Sequence, residues 1–154
     1  MLGLAVQPPA QARPGSPLYP PLAARLSSDK NIFDQLSNTW AVATLVHQSG
    51  KILDDQLGGR VADSAHPLPE IGSGHHRNHS SEKDRAYFYF PDLTIYEPGR
   101  YRIRVSLMQM DYSCDTSPDG IVRVCECIES RSIFVDDRAE NSGRPSKITS
   151  TLLR

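Results

Sequence analysis

The run Tyr87-Phe88-Tyr89-Phe90-Pro91-Asp92-Leu93-Thr94-Ile95-Tyr96-Glu97-Pro98-Gly99-Arg100-Tyr101-Arg102-Ile103-Arg104-Val105-Ser106-Leu107 constrains the fold more than any other part of the chain. Its second half alternates Tyr101, Ile103, Val105 and Leu107 with Arg100, Arg102, Arg104 and Ser106. Alternation with a period of two is the pattern of a strand with one buried face. The first half is a further aromatic strand, interrupted by Pro91, which lacks the N–H a ladder needs and so belongs at an edge or a bend. Asp92 follows directly, where a carboxylate accepts backbone N–H groups and fixes the bend, which favours a structural corner over a catalytic role. Pro98-Gly99 offers the preset φ and the positive φ of a type II turn. Phe88, Phe90, Leu93, Tyr101, Ile103 and Val105 are the expected core of this region.

Other segments extend the same pattern. Trp40 to Val46 is apolar on both parities, as in a central strand covered on each side. Lys51 to Leu57 reads as a further strand, and Gly58 to Asp84 as a long polar connection. Ser117-Pro118-Asp119-Gly120 turns the chain back, and Ile121 to Val135 returns as one long or bent strand. Its alternation shifts near Ser130-Arg131-Ser132, which predicts a bulge or a change of sheet there. Twelve prolines and ten glycines in 154 residues favour turns over long helices. The expectation is one mainly β domain over residues 18–136, preceded by a proline-rich disordered leader over 1–17 and followed by a polar, basic tail over 137–154.

The residues restrict chemistry as much as shape. Lys and Arg number 17 against 18 Asp and Glu, so no global field draws the chain to nucleic acid or anionic lipid, and such contact would need a local patch. No apolar run approaches the ~18 residues of a membrane span. No phosphate-cradling glycine loop, nucleophile elbow or metal-binding helix is present, so no catalytic, cofactor-binding or metal-ligating residue is assigned. The cluster His75-His76-Arg77-Asn78-His79 invites a metal, but no Cys or fixed carboxylate lies beside it, and a solvated insertion is the plainer reading. Three cysteines make an odd set that suits a reducing compartment. Cys125 and Cys127 would share one strand face, as small packing residues rather than a metal or redox pair.

The candidate binding residues are arginines. Arg102 and Arg104 sit two apart on the polar parity of one strand, so both guanidinium groups leave the sheet on one side, with Arg123 and Arg131 as companions. Such a stripe is either a solvated edge, paired within the molecule to Glu126 or Glu129, or a grip for phosphates or for the carboxylates of a partner.

The order F-x-F-P-D-L at Phe88 to Leu93, then Gly99, then Y-R-x-R at Tyr101 to Arg104 resembles the central signature of the velvet family of fungal regulators. The resemblance runs from about Leu18 to about Ser146 and is strongest from Phe88 to Val135. It implies an immunoglobulin-like, Rel-like β-sandwich in which Phe88, Phe90, Pro91, Asp92, Leu93, Gly99 and Tyr101 are structural motif positions. It also implies a nuclear transcriptional regulator, shuttling through the cytoplasm, that forms homo- or heterodimers with velvet proteins and acts at double-stranded DNA to control development, sporulation and secondary metabolism. A methyltransferase-like regulator is a further partner that the resemblance implies. The chain departs from the family at Met1 to Pro17, which holds Arg13 as its only basic residue where the family has a Lys- and Arg-rich segment. That departure keeps open a second reading, a velvet-like interaction module that heterodimerises without binding DNA itself.

Overall fold

The computed structural model describes residues 1–30, 32–68, 83–112 and 119–137, and among them the chain is mainly β. One sheet runs in the order β1 (Leu2–Val6), β3 (Leu22–Ser28), β9 (Lys83–Phe90) and β8 (His66–Pro67), all neighbours antiparallel. The second is built on β11 (Gly99–Asp111), whose thirteen residues pair on one side with β4 (Thr39–His47). On its other side β11 pairs first with β13 (Ile133–Val135) and then with β12 (Ile121–Glu129). Short strands complete this sheet: β2 (Gln11–Ala12) beside β13, and β5 (Ile52–Leu53) and β7 (Ala62–Ser64) beside β4. A small ladder joins β6 (Leu57–Gly58) to β10 (Thr94–Ile95), and one four-residue helix, α1 (Phe33–Leu36), precedes β4.

Both sheets contribute to one core. Alternation along β9 sends Phe88 and Phe90 inward and leaves Tyr87 and Tyr89 exposed, while β11 buries Tyr101, Ile103, Val105 and Leu107. Leu22, Ala24 and Leu26 from β3 and Ala41, Ala43 and Leu45 from β4 meet them in the same cluster. Ala24, Ala41, Ala43 and Ala86 in the same buried cluster leave room for the two phenylalanine rings.

Several expectations need correction. The first seventeen residues form no disordered leader: Leu2 is buried in β1, and Pro8 and Pro9 are buried as well. From there the chain crosses to the second sheet, where Ala12 is buried in β2. Arg131 holds this crossing, donating from Nε and a terminal nitrogen to the Pro8 carbonyl at 3.1 and 3.0 Å. Its backbone N–H donates to Gln7 Oε1 at 3.0 Å. Composition misled because the compensating contacts come from residues more than a hundred positions away. The polar connection from Gly58 likewise contains β7 and β8, and Lys51 to Leu57 splits between β5 and β6. β4 is central, but its outward residues Trp40, Val42 and Thr44 are only half-buried, so it is not covered on both faces.

Gly99 has φ +152° and already pairs with Val135 as the first residue of β11, so Pro98-Gly99 is not the type II turn expected. The predicted irregularity at Ser130 to Ser132 is a break between β12 and β13, both of which stay paired to β11. Ser130 spans the break, its hydroxyl accepting the Ile103 N–H at 3.0 Å while its own N–H donates to the Ile103 carbonyl at 2.8 Å. The His75 to His79 cluster and the tail from Arg138 onward lie outside the described residues.

Candidate functional site

The outward face of β11 carries the arginine stripe, and the register of the neighbouring strands decides what the stripe meets. Arg104 lies directly opposite Glu129 of β12. Its Nε and a terminal nitrogen both donate to Glu129 Oε2, at 3.1 and 2.8 Å. Arg102 reaches the other oxygen of the same carboxylate at 3.9 Å. One glutamate therefore serves two guanidinium groups at a site about one-third exposed on the carboxylate. Arg100, next along the stripe, lies over the ring of Phe134 with 4.6 Å from its central carbon to the ring centroid.

The two companion arginines are also held. Arg123 donates to Gln109 Oε1 at 3.0 Å. Arg131 is the clamp on Pro8 described above, with both donors on one backbone carbonyl. The structure thus brings Arg102 and Arg104 together around Glu129, with Arg100 in the same row on Phe134, and separates Arg123 and Arg131 from them.

The motif residues build a corner beside this sheet. Phe88, Phe90 and Leu93 are buried, and Pro91 and Asp92 form the turn that ends β9. Asp92 fixes the bend through a distant partner, its carboxylate accepting the Arg60 N–H at 2.8 Å. Gly59, at φ +91°, lets that loop approach, since a Cβ there would stand 2.2 Å from the Asp92 carbonyl oxygen. Tyr101 donates its hydroxyl to the Glu97 carbonyl at 2.9 Å, with the Pro98 carbonyl at 3.2 Å. Burial raises the Tyr101 pKa above its ordinary value, and the nearby Glu97 carboxylate adds to the shift.

Cys125 and Cys127 do not share a face and are not packed inside. A bulge falls where Leu107 pairs with Glu126 but Met108 with Val124, leaving Cys125 as the extra residue. Cys125 then approaches Gln109 at 3.7 Å and Cys127 approaches Ser106 at 3.5 Å, residues of opposite parity on β11. Both thiols are exposed.

Sequence reasoning missed Asp63. This carboxylate is 5% exposed, belongs to β7 of the second sheet, and accepts the Tyr89 N–H of the first sheet at 2.7 Å. His66 Nε2 stands 2.9 Å from the same oxygen, and its ring stacks on Tyr87 with centroids 4.8 Å apart. A buried carboxylate bound to backbone of the opposite sheet is a latch between the layers. The i, i+3 spacing of Asp63 and His66 was the only local signal. Among the described residues no group of three or more His, Cys, Asp or Glu is placed to hold a metal ion.

No protein-family model matches this chain, and no curated protein is significantly similar to it.

Proposed function

We propose that this chain is a partner-binding β-sandwich of the velvet type, acting in transcriptional control through contact with another velvet-domain protein rather than by gripping DNA itself. The observation that carries this reading is the internal pairing of the arginine stripe. Arg102 and Arg104 share Glu129, Arg123 is bound to Gln109 and Arg131 to Pro8, so engaging phosphates would first require breaking existing contacts. Freeing Arg102 and Arg104 would also leave the Glu129 carboxylate between them, which repels DNA. The net charge of −1 adds no long-range attraction.

Two features support an immunoglobulin-like, Rel-like type for the sandwich. Counting β1, β3, β4, β8, β9, β11 and β12 in chain order and setting the other short strands aside, the first, second, fifth and fourth share one sheet and the third, sixth and seventh the other, an order that matches the immunoglobulin pattern. The Tyr101 hydroxyl bound to the carbonyl four residues upstream, at the start of β11, resembles the tyrosine corner of such folds. The ordered string from Phe88 to Arg104 supports the velvet assignment within that type, and with it a nuclear role in fungal development and secondary metabolism.

Sedimentation of the chain mixed with a velvet-domain protein tests the reading. A heteromeric species with one of each chain is the expected result. Independent sedimentation at concentrations well above micromolar would overturn the proposed role.

A further inference from the structure

The antiparallel ladder of β6 and β10 sets Leu57 opposite Ile95 and Gly58 opposite Thr94. Continued past its end, the same register brings Gln56 opposite Tyr96 and Asp55 opposite Glu97. Like charges in that position destabilise a pair of chains. Among the described residues neither carboxylate has an ion-pair or hydrogen-bond partner that would offset the repulsion.

These four residues line a cavity of about 320 Å³ together with Leu45, Ile95 and Tyr101. Its floor is apolar, since Leu45 and Ile95 are fully buried and Tyr101 nearly so, with the Tyr101 hydroxyl already donating to the Glu97 backbone carbonyl. Its rim is exposed: Asp55, Gln56 and Glu97 stand there, beside Tyr96 as an aromatic wall. No Lys or Arg lines it. Gly58 seats that wall, because a Cβ at Gly58 would stand 2.2 Å from the Tyr96 phenol oxygen. Gly58 lies outside the left-handed region, so the ring and not the backbone is what requires glycine there.

We infer that this cavity binds a small organic ammonium ion, with an apolar group on the floor of Leu45, Ile95 and Tyr101 and the charged head at the rim between Asp55 and Glu97. Charge selects a cation, since two carboxylates and no base surround the mouth. Desolvation sets the orientation: an ammonium driven onto the apolar floor would lose its hydration without a partner, whereas one at the rim keeps water and gains both carboxylates. That orientation favours a free amine over a lysine side chain of another protein, which would enter head first. The Tyr96 ring adds an aromatic surface that attracts a cation. The chemistry of the cavity does not depend on the transcriptional reading, so either can fail alone.

Phenethylammonium is a probe of this shape, and phenylethanol is its neutral counterpart. Titrated into the full chain, the ammonium ion should bind saturably in the millimolar range and shift the NMR ring signals of Tyr96 and Tyr101, with the alcohol roughly tenfold weaker. Asp55→Asn and Glu97→Gln should each weaken binding about threefold, as the loss of one exposed ion pair does. Gly58→Ala should weaken it too, by displacing the Tyr96 ring. Both carboxylates are exposed, and Tyr101 bonds the backbone of Glu97 rather than its side chain, so circular dichroism of those two variants should match the parent. No saturable binding, equal binding of the alcohol, or binding indifferent to both carboxylate substitutions overturns the inference. Tighter binding of an acetyl-lysine amide bearing a free side-chain ammonium would overturn the orientation and with it the choice of a free amine.

Discussion

Replacing Glu129 by Gln removes the charge that holds the arginine stripe while keeping the side chain's shape. Glu129 accepts from Arg104 at 2.8 and 3.1 Å and lies 3.9 Å from Arg102, with side-chain exposures of 32% for the glutamate, 35% for Arg104 and 57% for Arg102. At these exposures solvent screens most of the Coulomb attraction, and such pairs contribute about 0.2–1 kcal/mol each. Glu129→Gln should therefore lower the melting midpoint by a few degrees at most. Its larger effect should fall on binding. Two guanidinium groups lose their carboxylate, and if both then meet phosphates, the dependence of duplex affinity on salt should steepen by about two units of logarithmic slope. Fluorescence anisotropy with a labelled duplex across a salt series reads both quantities. If Glu129→Gln binds DNA no better than the parent, internal pairing is not what keeps the stripe from phosphate. A loss of several kcal/mol in stability would show the pair to be a structural one.

Phe88→Ala should cost roughly 3–5 kcal/mol in denaturant unfolding, because the ring is fully buried between the sheets; a loss below about 1 kcal/mol would refute the inward face. Tyr101→Phe should cost about 1 kcal/mol by freeing the Glu97 carbonyl, read from the same unfolding curves. Because the folded Tyr101 pKa is raised, its neutral form is the one the fold favours. That stability is present below the unfolded value near 10 and is lost as pH rises through the folded value. Tyr101→Phe should remove this alkaline loss, and an unchanged pH profile would contradict it. Asp63→Ala should destabilise by about 1–3 kcal/mol, since it leaves the Tyr89 N–H without its acceptor, whereas Asp63→Asn keeps a carbonyl oxygen there and should cost less; equal losses would count against the latch.

What the sequence made legible was local. The period of two from Tyr101 to Leu107 marks the face that β11 buries, and the shift of parity at Ser130 to Ser132 marks a real break. Neither depends on distant partners. Residues 1–17 were misread because proline-rich composition argues for disorder, whereas Pro8 is buried under a clamp from Arg131 that no local window contains. The cysteine parity failed at a one-residue bulge, which reverses every later side chain and leaves no mark in composition. The arginine stripe was visible as a stripe, but its neutralisation depended on the register that sets Glu129 opposite Arg104. Asp63 was hidden for the same reason: a carboxylate in a polar segment becomes a latch only when the other sheet is laid beside it.

The most direct test of the account is retardation of duplex DNA at physiological salt by the chain alone and by the chain with a velvet-domain partner. The paired stripe and the net charge of −1 predict no retardation by the chain alone, and a shifted species only when the partner is added. Retardation by the chain alone, with affinity that falls steeply as salt rises and that is lost in Arg102→Ala with Arg104→Ala, would contradict the claim that this sandwich works through protein contact.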